Sequence, residues 1–482
     1  MNRRVTGRCW RAAFLRSVAV ALAIWRPVTG QAEVGRATPF NFVIIYTDDL
    51  RYDALGCTGS VHAKTPAIDR LAREGVLFQN AFVCTPLCSP SRASFLTGLH
   101  THAHRVINND KQGLDVASHR LFTFPRILRE RGRYETAFIG KFHMGFDDSR
   151  RPGFDHWISC KGQGQFIDPV VNHNGQRRQL DGYMTDHLNA WSVEFIEKER
   201  SRPFCLFLSH KAVHAPFIPA PRHEELYSDV PYTPPPSPPE DLAGKPALTR
   251  ELPEVVRPWR VVRDSTPERG ESPRGRPRDR ASIVRDQLRC LASIDEGVLQ
   301  IYQTLERRDL LESTVVLFTS DNGYLLGEHG EFQQKRWAYE ECLRVPLVMR
   351  FPQTLEFRGE RRQIVLSIDI APTLLELAGV DWMAPLHGRS IVPLLKNSGV
   401  AWRTSFLAEH FLEEIVPRVP DWLCVRTERW KYIRYPTLEG MDELYDLNAD
   451  PQEFRNLIAT DMGRTVRPAL QAELERLVRE SP

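Results

Sequence analysis

The sequence predicts an α/β fold, in which a large doubly wound mixed sheet is flanked by helices and a small C-terminal antiparallel sheet carries one further helix. The first observation behind this prediction is two nearly continuous apolar runs, residues 40–47 and 313–320, which are typical of strands buried on both faces of a sheet. The second is that similar runs alternate with helical patterns along most of the chain. The third is a change near Trp382 to short strand-like segments that precede a final helical pattern.

Two of the predicted strands end in acidic residues. Residues 40–47 lead into Asp48-Asp49, and residues 313–320 lead into Asp321-Asn322-Gly323. Ligands bind beyond the carboxyl ends of the strands in a doubly wound sheet, so we expect both acidic pairs at the ligand-binding edge. Each pair taken alone is more often part of an ordinary turn.

The other elements follow the same alternation. A helix begins at Thr65-Pro66, because proline fits the first helical turn, and it stops at Gly75. The next predictions, in chain order, are a strand over 134–139, a helix over 184–200 and a strand over 204–209. Three short strands over 405–409, 422–427 and 430–435 and the segment 443–447 then precede a final helix over 464–480.

The composition limits the partners of this chain. Its 482 residues suffice for one large α/β domain and a smaller one. Lys and Arg number 64 against 61 Asp and Glu, and the net charge is +3. This balance argues against nucleic acid as a partner, so recognition of an anion must be local. The nine cysteines are irregularly spaced without a Cys-x-x-Cys pair, so we predict no particular disulfide and no zinc motif.

The N-terminal 32 residues have the pattern of a secretory signal peptide. A basic start precedes a short apolar stretch, residues 18–25, and small or polar residues run to Ala32. The apolar stretch is too short to span a bilayer, and no other segment approaches the roughly 20 apolar residues that a membrane helix needs. We predict a signal peptide over residues 1–32 and a secreted or periplasmic protein without a stable membrane span. A twin-arginine signal or a retained anchor is the alternative.

The rest of the chain is predicted to divide into a large domain over residues 36–381 and a C-terminal subdomain over residues 382–482. Between residues 231 and 280 the composition shifts to Pro, Arg, Glu and Asp with few large apolar side chains. This shift predicts an insertion on the surface, partly disordered, over the open end of the sheet. A solvated loop is favoured over a role for its arginines in binding a polyanion.

Cys88 begins the most distinctive segment of the chain. Cys88-Ser89-Pro90-Ser91-Arg92 runs into a helical pattern that stops at Gly98, so Cys88 is expected at a helix N-terminus, where unpaired amides favour an anion. A single cysteine near an arginine is more often a buried small side chain or half of a disulfide. A cysteine-dependent phosphatase fits poorly, because its loop needs five residues between Cys and Arg, whereas three lie between Cys88 and Arg92.

The acidic pairs predict a metal site. Asp48, Asp49, Asp321 and Asn322 offer only oxygen atoms, from two strand ends far apart in the sequence. Such donors suit a hard cation, Ca²⁺ before Mg²⁺. Their combination with Cys88 argues against ordinary turns, and we predict that position 88 contributes a further ligand.

These motifs resemble the type I sulfatase family of the alkaline phosphatase superfamily. The run Cys88–Gly98 is similar to the family signature C-x-P-S-R followed by A-S-x-L-T-G. The resemblance implies an alkaline-phosphatase-like fold and a maturation enzyme that oxidises Cys88 to formylglycine (3-oxoalanine), whose hydrate is the nucleophile. It also implies that the acidic residues hold Ca²⁺. The histidine-rich zinc ligands and the Ser or Thr nucleophile of alkaline phosphatases themselves are missing.

Further motifs supply cationic and titratable groups. Gly140–Gly145 resembles the family's G-K-W-H-x-G, with Phe142 in place of Trp, and implies that Lys141 binds a sulfate oxygen and that His143 is the base that collapses the sulfated intermediate. His214, in His214-Ala215-Pro216, resembles the histidine near the leaving oxygen, so we assign it as general acid, with His210 as the less favoured candidate.

Two more cationic residues complete the predicted site. Residues 327–330 with Lys335 resemble the loop that delivers a second sulfate-binding lysine, and Glu328 and His329 either orient that loop or form an ordinary polar turn. The resemblance further implies that Arg92 holds the hydrated formylglycine, while the two lysines and the metal bind the sulfonyl oxygens.

Three other segments, residues 105–109, 162–164 and 172–175, look similar to the N-acetylglucosamine-6-sulfatase branch of the family, which is arylsulfatase-like and acts on heparan-type or mucin-type glycans. They imply exo-removal of a 6-O-sulfate from a glucosamine residue, with Asn108 and Asn109 as candidate sugar contacts or simply a turn. The 231–280 insertion departs from that branch. A sulfatase for another sulfated carbohydrate or an aryl sulfate, and a catalytically dead protein that binds sulfated glycans, are the alternatives.

Overall fold

Ten strands form one large mixed sheet in the computed structural model of the protein, which describes residues 39–109, 113–231, 233–252, 279–382 and 385–482. The predicted signal peptide lies outside the described residues, as does most of the predicted insertion. The ten strands are β1 (Asn41–Thr47), β2 (Val76–Phe82), β3 (Glu135–Gly140), β4 (His156–Ser159), β5 (Val170–His173), β6 (Gln176–Gln179), β7 (Phe204–Ser209), β8 (Thr314–Ser320), β11 (Leu347–Arg350) and β12 (Gly359–Leu366), with a two-stranded ribbon of β9 (Leu325–Leu326) and β10 (Phe332–Gln334) between β8 and β11 in the sequence.

The order of the strands explains where a ligand would bind. It is β12-β2-β11-β8-β1-β7-β3-β4-β5-β6, and the central strands β8, β1, β7, β3 and β4 are parallel, whereas β11, β5 and β6 pair antiparallel with their neighbours. Thr47 pairs with Ser320, and Gly140 pairs with Ser209, so the carboxyl ends of β1, β8, β3 and β7 lie at one edge. The predicted class, a large mixed α/β sheet, is confirmed.

Helices cover both faces of this sheet. Along β1, Ile44 and Tyr46 belong to one apolar core and Val43 and Ile45 to the other, because successive side chains of a strand point to opposite faces. The helices are α1 (Pro66–Glu74), α2 (Cys88–Thr97), α3 (Thr101–His104), α4 (Leu114–Arg120), α5 (Phe124–Glu130), α6 (Met184–Glu197), α7 (Pro239–Ala243), α8 (Pro246–Thr249), α9 (Arg280–Arg307), α10 (Glu340–Leu343), α11 (Ile370–Leu377), α12 (Val392–Lys396) and α13 (Asp461–Glu480). None of the helices within the described ranges is long and apolar enough to cross a bilayer.

A second, antiparallel sheet follows in the C-terminal part. Its strands, in spatial order, are β13 (Ser405–His410), β14 (Trp422–Thr427), β15 (Trp430–Arg434) and β16 (Glu443–Asp446). One apolar cluster contains Phe82 of the large sheet, Trp337 and Trp422, so the two sheets share a core. Leu470 and Leu474 of α13 pack on the other face of the small sheet. The predicted boundary at 381/382 stays a prediction.

Candidate active site

The carboxyl ends of four parallel strands bring the predicted site residues together. β1 leads into Asp48 and Asp49, β8 into Asp321 and Asn322, and β3 into Lys141 and His143, while β7 leads into the segment that carries His214. The start of α2 adds Cys88 and Arg92, and the segment after β10 adds Lys335. The contacts that follow join these side chains into one cluster.

Hydrogen bonds connect the two acidic strand ends. The backbone N–H of Asp49 donates to Asp321 Oδ1 at 3.1 Å, and Asn322 Nδ2 donates to Asp49 Oδ1 at 2.6 Å. Asp49 has a φ of 60°, a left-handed conformation that Asp tolerates better than most residues. The carboxylates of Asp48, Asp49 and Asp321 are buried, so they need cationic partners.

A divalent cation fits this cluster. Asp48, Asp49, Cys88 and His214 each offer one ligand atom, and these four atoms all lie within 4.8 Å of one another. Two buried oxygens close to them, Asp49 Oδ2 and Asn322 Oδ1, have no hydrogen-bond partner. A buried acceptor without a donor calls for an explanation, and a metal ion supplies one. The carboxylate and amide oxygens are the donors that hard cations prefer.

Two lysines place positive charge beside Cys88. Lys335 Nζ donates to Asp49 Oδ1 at 2.5 Å and lies 2.9 Å from Cys88 Sγ. Lys141 Nζ forms an ion pair with Asp48 Oδ2. Burial alone would lower the pKa of Lys335, but Asp49 raises it well above the usual value. Burial alone would raise the pKa of Asp48, but Lys141 holds it well below its usual range. Each ion pair therefore favours the charged form of the group whose pKa it shifts, the ammonium of Lys335 and the carboxylate of Asp48.

Arg92 binds several strand ends at once. Its Nε and Nη2 donate to Asp321 Oδ2 at 3.0 and 2.8 Å, and Nη1 donates to the carbonyl of Lys141 at 2.8 Å and to Ser209 Oγ at 2.7 Å. Nη2 also lies 3.6 Å from Asp48 Oδ2. These contacts orient the guanidinium between α2 and the ends of β3, β7 and β8, and they neutralise part of the acidic cluster.

Cys88 is buried at the first position of α2. Its thiol lies 3.8 Å from Asp48 Oδ1. Burial raises the pKa of this thiol to about 11, although Lys335 and Lys141 favour the thiolate. Since the thiolate is the reactive form of a cysteine, an unmodified Cys88 is a poor nucleophile near pH 7. This environment disfavours the cysteine-dependent phosphatase that the sequence had left as a rival.

The two histidines assigned as base and acid are both neutral near pH 7. Burial, helped by Lys141, holds the pKa of His143 well below its usual value, and its Nδ1 is buried without a hydrogen-bond partner. Burial lowers the pKa of His214 to about 3, even though Asp48 and Asp49 oppose this; its Nδ1 donates to the carbonyl of Ala215 at 2.7 Å, and its Nε2 lies 3.6 Å from Asp49 Oδ2. A neutral imidazole can accept a proton, whereas an acid must first gain one.

Glu328 and His329 bind the turn that precedes Lys335 to its surroundings. Glu328 pairs with Arg51 and accepts the N–H of Leu326 at 2.7 Å, and His329 Nδ1 lies 2.7 Å from Asp241 Oδ1. These contacts are those expected of residues that orient the loop. His210 is buried with both ring nitrogens unpartnered, and burial lowers its pKa to about 3.

The structure also places residues that the sequence did not single out. Ser209 Oγ donates to the carbonyl of Lys141 at 2.7 Å and accepts from Arg92. Lys211 is buried, and its Nζ donates to the carbonyl of Ala215 at 3.3 Å. Burial, and to a smaller extent repulsion from Lys141, lowers the pKa of Lys211 to about 8. The available signal was their position at the end of a buried strand, since Ser209 is the last residue of β7 and Lys211 follows two residues later. Asn109, a candidate sugar contact, uses its Oδ1 to accept the N–H of Ser89 at 3.0 Å.

Comparison with known proteins gives one consistent result. The family model described as Sulfatase matches residues 40–380, and that described as N-sulphoglucosamine sulphohydrolase, C-terminal, matches residues 327–480. An N-acetylglucosamine-6-O-sulfatase from Bacteroides thetaiotaomicron is 30% identical over 92% of this chain and 86% of its own, and a human N-acetylglucosamine-6-sulfatase is 28% identical over 87% and 81%. The solved structure of BT4656 in complex with its substrate, D-glucosamine-2-N,6-O-disulfate, has a TM-score of 0.79 and 26% identity, and the match covers 92% of this chain and 98% of that one.

Proposed function

Because this chain belongs to the sulfatase family and is a sulfuric ester hydrolase, we propose that it removes the 6-O-sulfate from N-acetylglucosamine or a related sugar of a sulfated glycan. The observation that carries the chemistry is the position of Cys88 Sγ, 2.9 Å from Lys335 Nζ and beside the buried carboxylates of Asp48 and Asp49. A sulfate ester bound at this position would meet a nucleophile, cationic donors and a metal site within one buried cluster.

Two groups that the folded chain would acquire complete this chemistry. Asp48, Asp49, Asp321 and Asn322 would hold a divalent cation, proposed to be Ca²⁺ because Mg²⁺ usually keeps several waters and this site is buried; the cation would offset charge on the sulfate oxygens. Cys88, converted by a maturation enzyme to formylglycine, would supply a hydrated aldehyde with one hydroxyl for attack on sulfur and a second for the release of sulfate.

The side chains of the chain itself then have separate tasks. Lys141 and Lys335 would bind the sulfonyl oxygens, because Lys335 Nζ lies 2.9 Å from Cys88 Sγ and Lys141 Nζ pairs with Asp48, whose other carboxylate oxygen lies 3.8 Å from that thiol. His143 would accept the proton of the remaining hydroxyl, because its imidazole is neutral near pH 7 and its Nδ1 is buried without a hydrogen-bond partner.

His214 would deliver a proton to the departing sugar oxygen, but it must first be protonated. Its pKa of about 3 arises mainly from burial. The negative charge of a bound sulfate ester raises the pKa of a neighbouring imidazole, so the general acid is expected to form in the substrate complex rather than in the free enzyme.

The names of the relatives support the choice of sugar. The bacterial and human proteins are N-acetylglucosamine 6-sulfatases, and the similar solved structure holds a glucosamine that is sulfated at the 2-N and 6-O positions. All three cover most of this chain. We further propose exo-action on a terminal residue, and secretion or export to the periplasm on the basis of the pattern of residues 1–32.

A panel of sulfated sugars tests the proposal. The protein is co-expressed with a formylglycine-generating enzyme, Cys88 conversion is measured by peptide mass, and sulfate release is followed with Ca²⁺ on N-acetylglucosamine-6-sulfate, N-acetylglucosamine-3-sulfate, galactose-6-sulfate and an aryl sulfate. We expect kcat/KM for N-acetylglucosamine-6-sulfate to exceed the others by at least about 100-fold. Cys88→Ser should be inactive or accumulate sulfated enzyme, because serine has no second hydroxyl for elimination.

The same panel separates the alternatives. Preference for another sugar sulfate or for the aryl sulfate would keep the catalytic assignment and replace the substrate. An unconverted Cys88 in a maturation-competent host, together with binding but no hydrolysis of every substrate, would refute the enzyme mechanism proposed for this chain.

A further inference from the structure

Glu413 connects separate segments around Cys88, although it lies in the C-terminal part of the chain. It stands in the segment between β13 and β14, and its side chain is fully buried. Its Oε1 accepts the backbone N–H of Asn109 at 2.9 Å, and its Oε2 pairs with Nε of Arg336. Both partners are donors, so only a carboxylate can accept from both without losing a hydrogen bond.

The first contact leads to the start of α2. Asn109 Oδ1 accepts the backbone N–H of Ser89 at 3.0 Å. The first N–H groups of a helix lack an acceptor within the helix, and Leu87, at the N-cap position, provides no side-chain cap. Glu413 holds the Asn109 backbone, Asn109 caps the helix, and the helix start carries Cys88 one residue before Ser89.

The second contact leads to Lys335. Arg336, the next residue, has a φ of 83°, a left-handed conformation that a non-glycine residue keeps only where its surroundings maintain it. Its N–H donates to the carbonyl of Pro86 at 3.1 Å, its carbonyl accepts from Trp422 Nε1 at 2.8 Å, and its guanidinium pairs with Glu413. The backbone beside Lys335 is therefore fixed against the segment that precedes Cys88.

We propose that Glu413 is a positioning residue of the sulfatase reaction, which keeps the nucleophile at position 88 and the ammonium of Lys335 at a fixed distance from each other. This role rests on the function proposed above. The carboxylate touches neither the sulfate site nor the metal ligands; it acts through Asn109 and Arg336. Loss of the carboxylate would leave the backbone N–H of Asn109 and Nε of Arg336 without their acceptor. Displacements of about 1 Å at a reacting group can cost about 100-fold in rate.

Steady-state kinetics of the matured, Ca²⁺-loaded enzyme provide the first test. Glu413→Ala should lower kcat about 100-fold per formylglycine-containing molecule and leave KM within about threefold, because Lys141, which pairs with Asp48 and not with Glu413, still binds the sulfate in the ground state. Glu413→Gln keeps one acceptor for Asn109 but places an NH₂ donor opposite the Arg336 donor, so kcat should fall about tenfold. Asp442→Asn is the matched control, since Asp442 also accepts two hydrogen bonds, from Tyr432 and Tyr435, within the small sheet.

Amide hydrogen exchange gives a second measurement that needs no substrate. In Glu413→Ala the peptide that contains Ser89 should exchange at least about tenfold faster than in the parent, whereas Asp442→Asn should leave that peptide unchanged. The proposal is overturned if the protection of Ser89 is unchanged, or if kcat falls only in proportion to the folded and converted fraction. Absence of any sulfatase activity in the parent would instead refute the proposed function, and exchange would still decide whether Glu413 positions α2.

Discussion

Replacement of His329 by glutamine should remove a large pH dependence of the protein's stability. His329 is buried in the turn before Lys335, with Nδ1 2.7 Å from Asp241 Oδ1 and Nε2 3.7 Å from Glu341 Oε2. Burial alone would lower the pKa of His329, but the contacts with Asp241 and Glu341 raise it to about 9. The imidazolium is thus the form that the folded protein binds at neutral pH.

The contribution of His329 to the free energy of unfolding follows from the difference between its pKa values in the folded and the unfolded protein. The pKa is about 9 in the folded protein and about 6.5 in the unfolded chain, and this difference corresponds to about 3 kcal/mol. Because the folded-state pKa is the higher one, the contribution is fully present below about pH 6.5 and is lost as the pH rises through 9. About 2 kcal/mol should remain at pH 7.5 and less than about 0.5 kcal/mol at pH 9.

Urea unfolding of the Ca²⁺-loaded parent and of His329→Gln at pH 6.5, 7.5, 8.5 and 9.5 measures this contribution. The free energies of unfolding should differ most at pH 6.5 and converge toward pH 9.5. His410→Gln is the control, since burial lowers the pKa of His410 to about 3 and the folded protein keeps this histidine neutral throughout the range. Only the unfolded chain protonates it, so the cost of its loss should change by less than about 0.5 kcal/mol between pH 6.5 and 9.5. A difference for His329→Gln that does not change between pH 6.5 and 9.5 would refute the reasoning.

Three further changes address the site itself. Lys335→Ala should lower kcat about 10²–10³-fold, since the donor proposed for the sulfonyl oxygens is lost, and steady-state kinetics with less than a fivefold effect would contradict this proposed role. Arg92→Ala should lower the free energy of unfolding by about 3–5 kcal/mol, because the Asp321 carboxylate stays buried without its guanidinium; a loss below about 1 kcal/mol in urea unfolding would show that Asp321 finds another partner. Removal of the metal with a chelator should lower the melting temperature and abolish sulfate release, and Ca²⁺ should restore both. A melting temperature that changes with neither chelator nor Ca²⁺ would argue against a metal at Asp48 and Asp49.

Several elements could be predicted from the sequence because their patterns are local. The buried strands predicted over 40–47 and 313–320 are observed as Asn41–Thr47 and Thr314–Ser320, since a continuous β-rich apolar run bounded by polar residues defines its own ends. The last helix begins at Asp461 rather than at 464, because Thr460 caps it, and its first turn has only one apolar side chain, the exposed Met462, so no apolar period marks it.

The candidate site was predictable to a similar extent and for a related reason. Cys88 with Arg92, and the acidic pairs at two strand ends, are compact motifs whose spacing is preserved in the linear chain. Glu413 had no such signal. It stands more than 300 residues from Asn109 in the sequence and 77 from Arg336, and only the packing of the small sheet brings it to them.

The sequence alone determined the family, the α/β class and the residue types available for chemistry, because apolar periodicity and short motifs are written in neighbouring positions. The tertiary structure decided which of these groups meet, which of them are charged and which buried oxygens lack a donor. Those properties depend on burial and on distances between strand ends, which arise only when parallel strands from distant parts of the chain align their carboxyl ends at one edge.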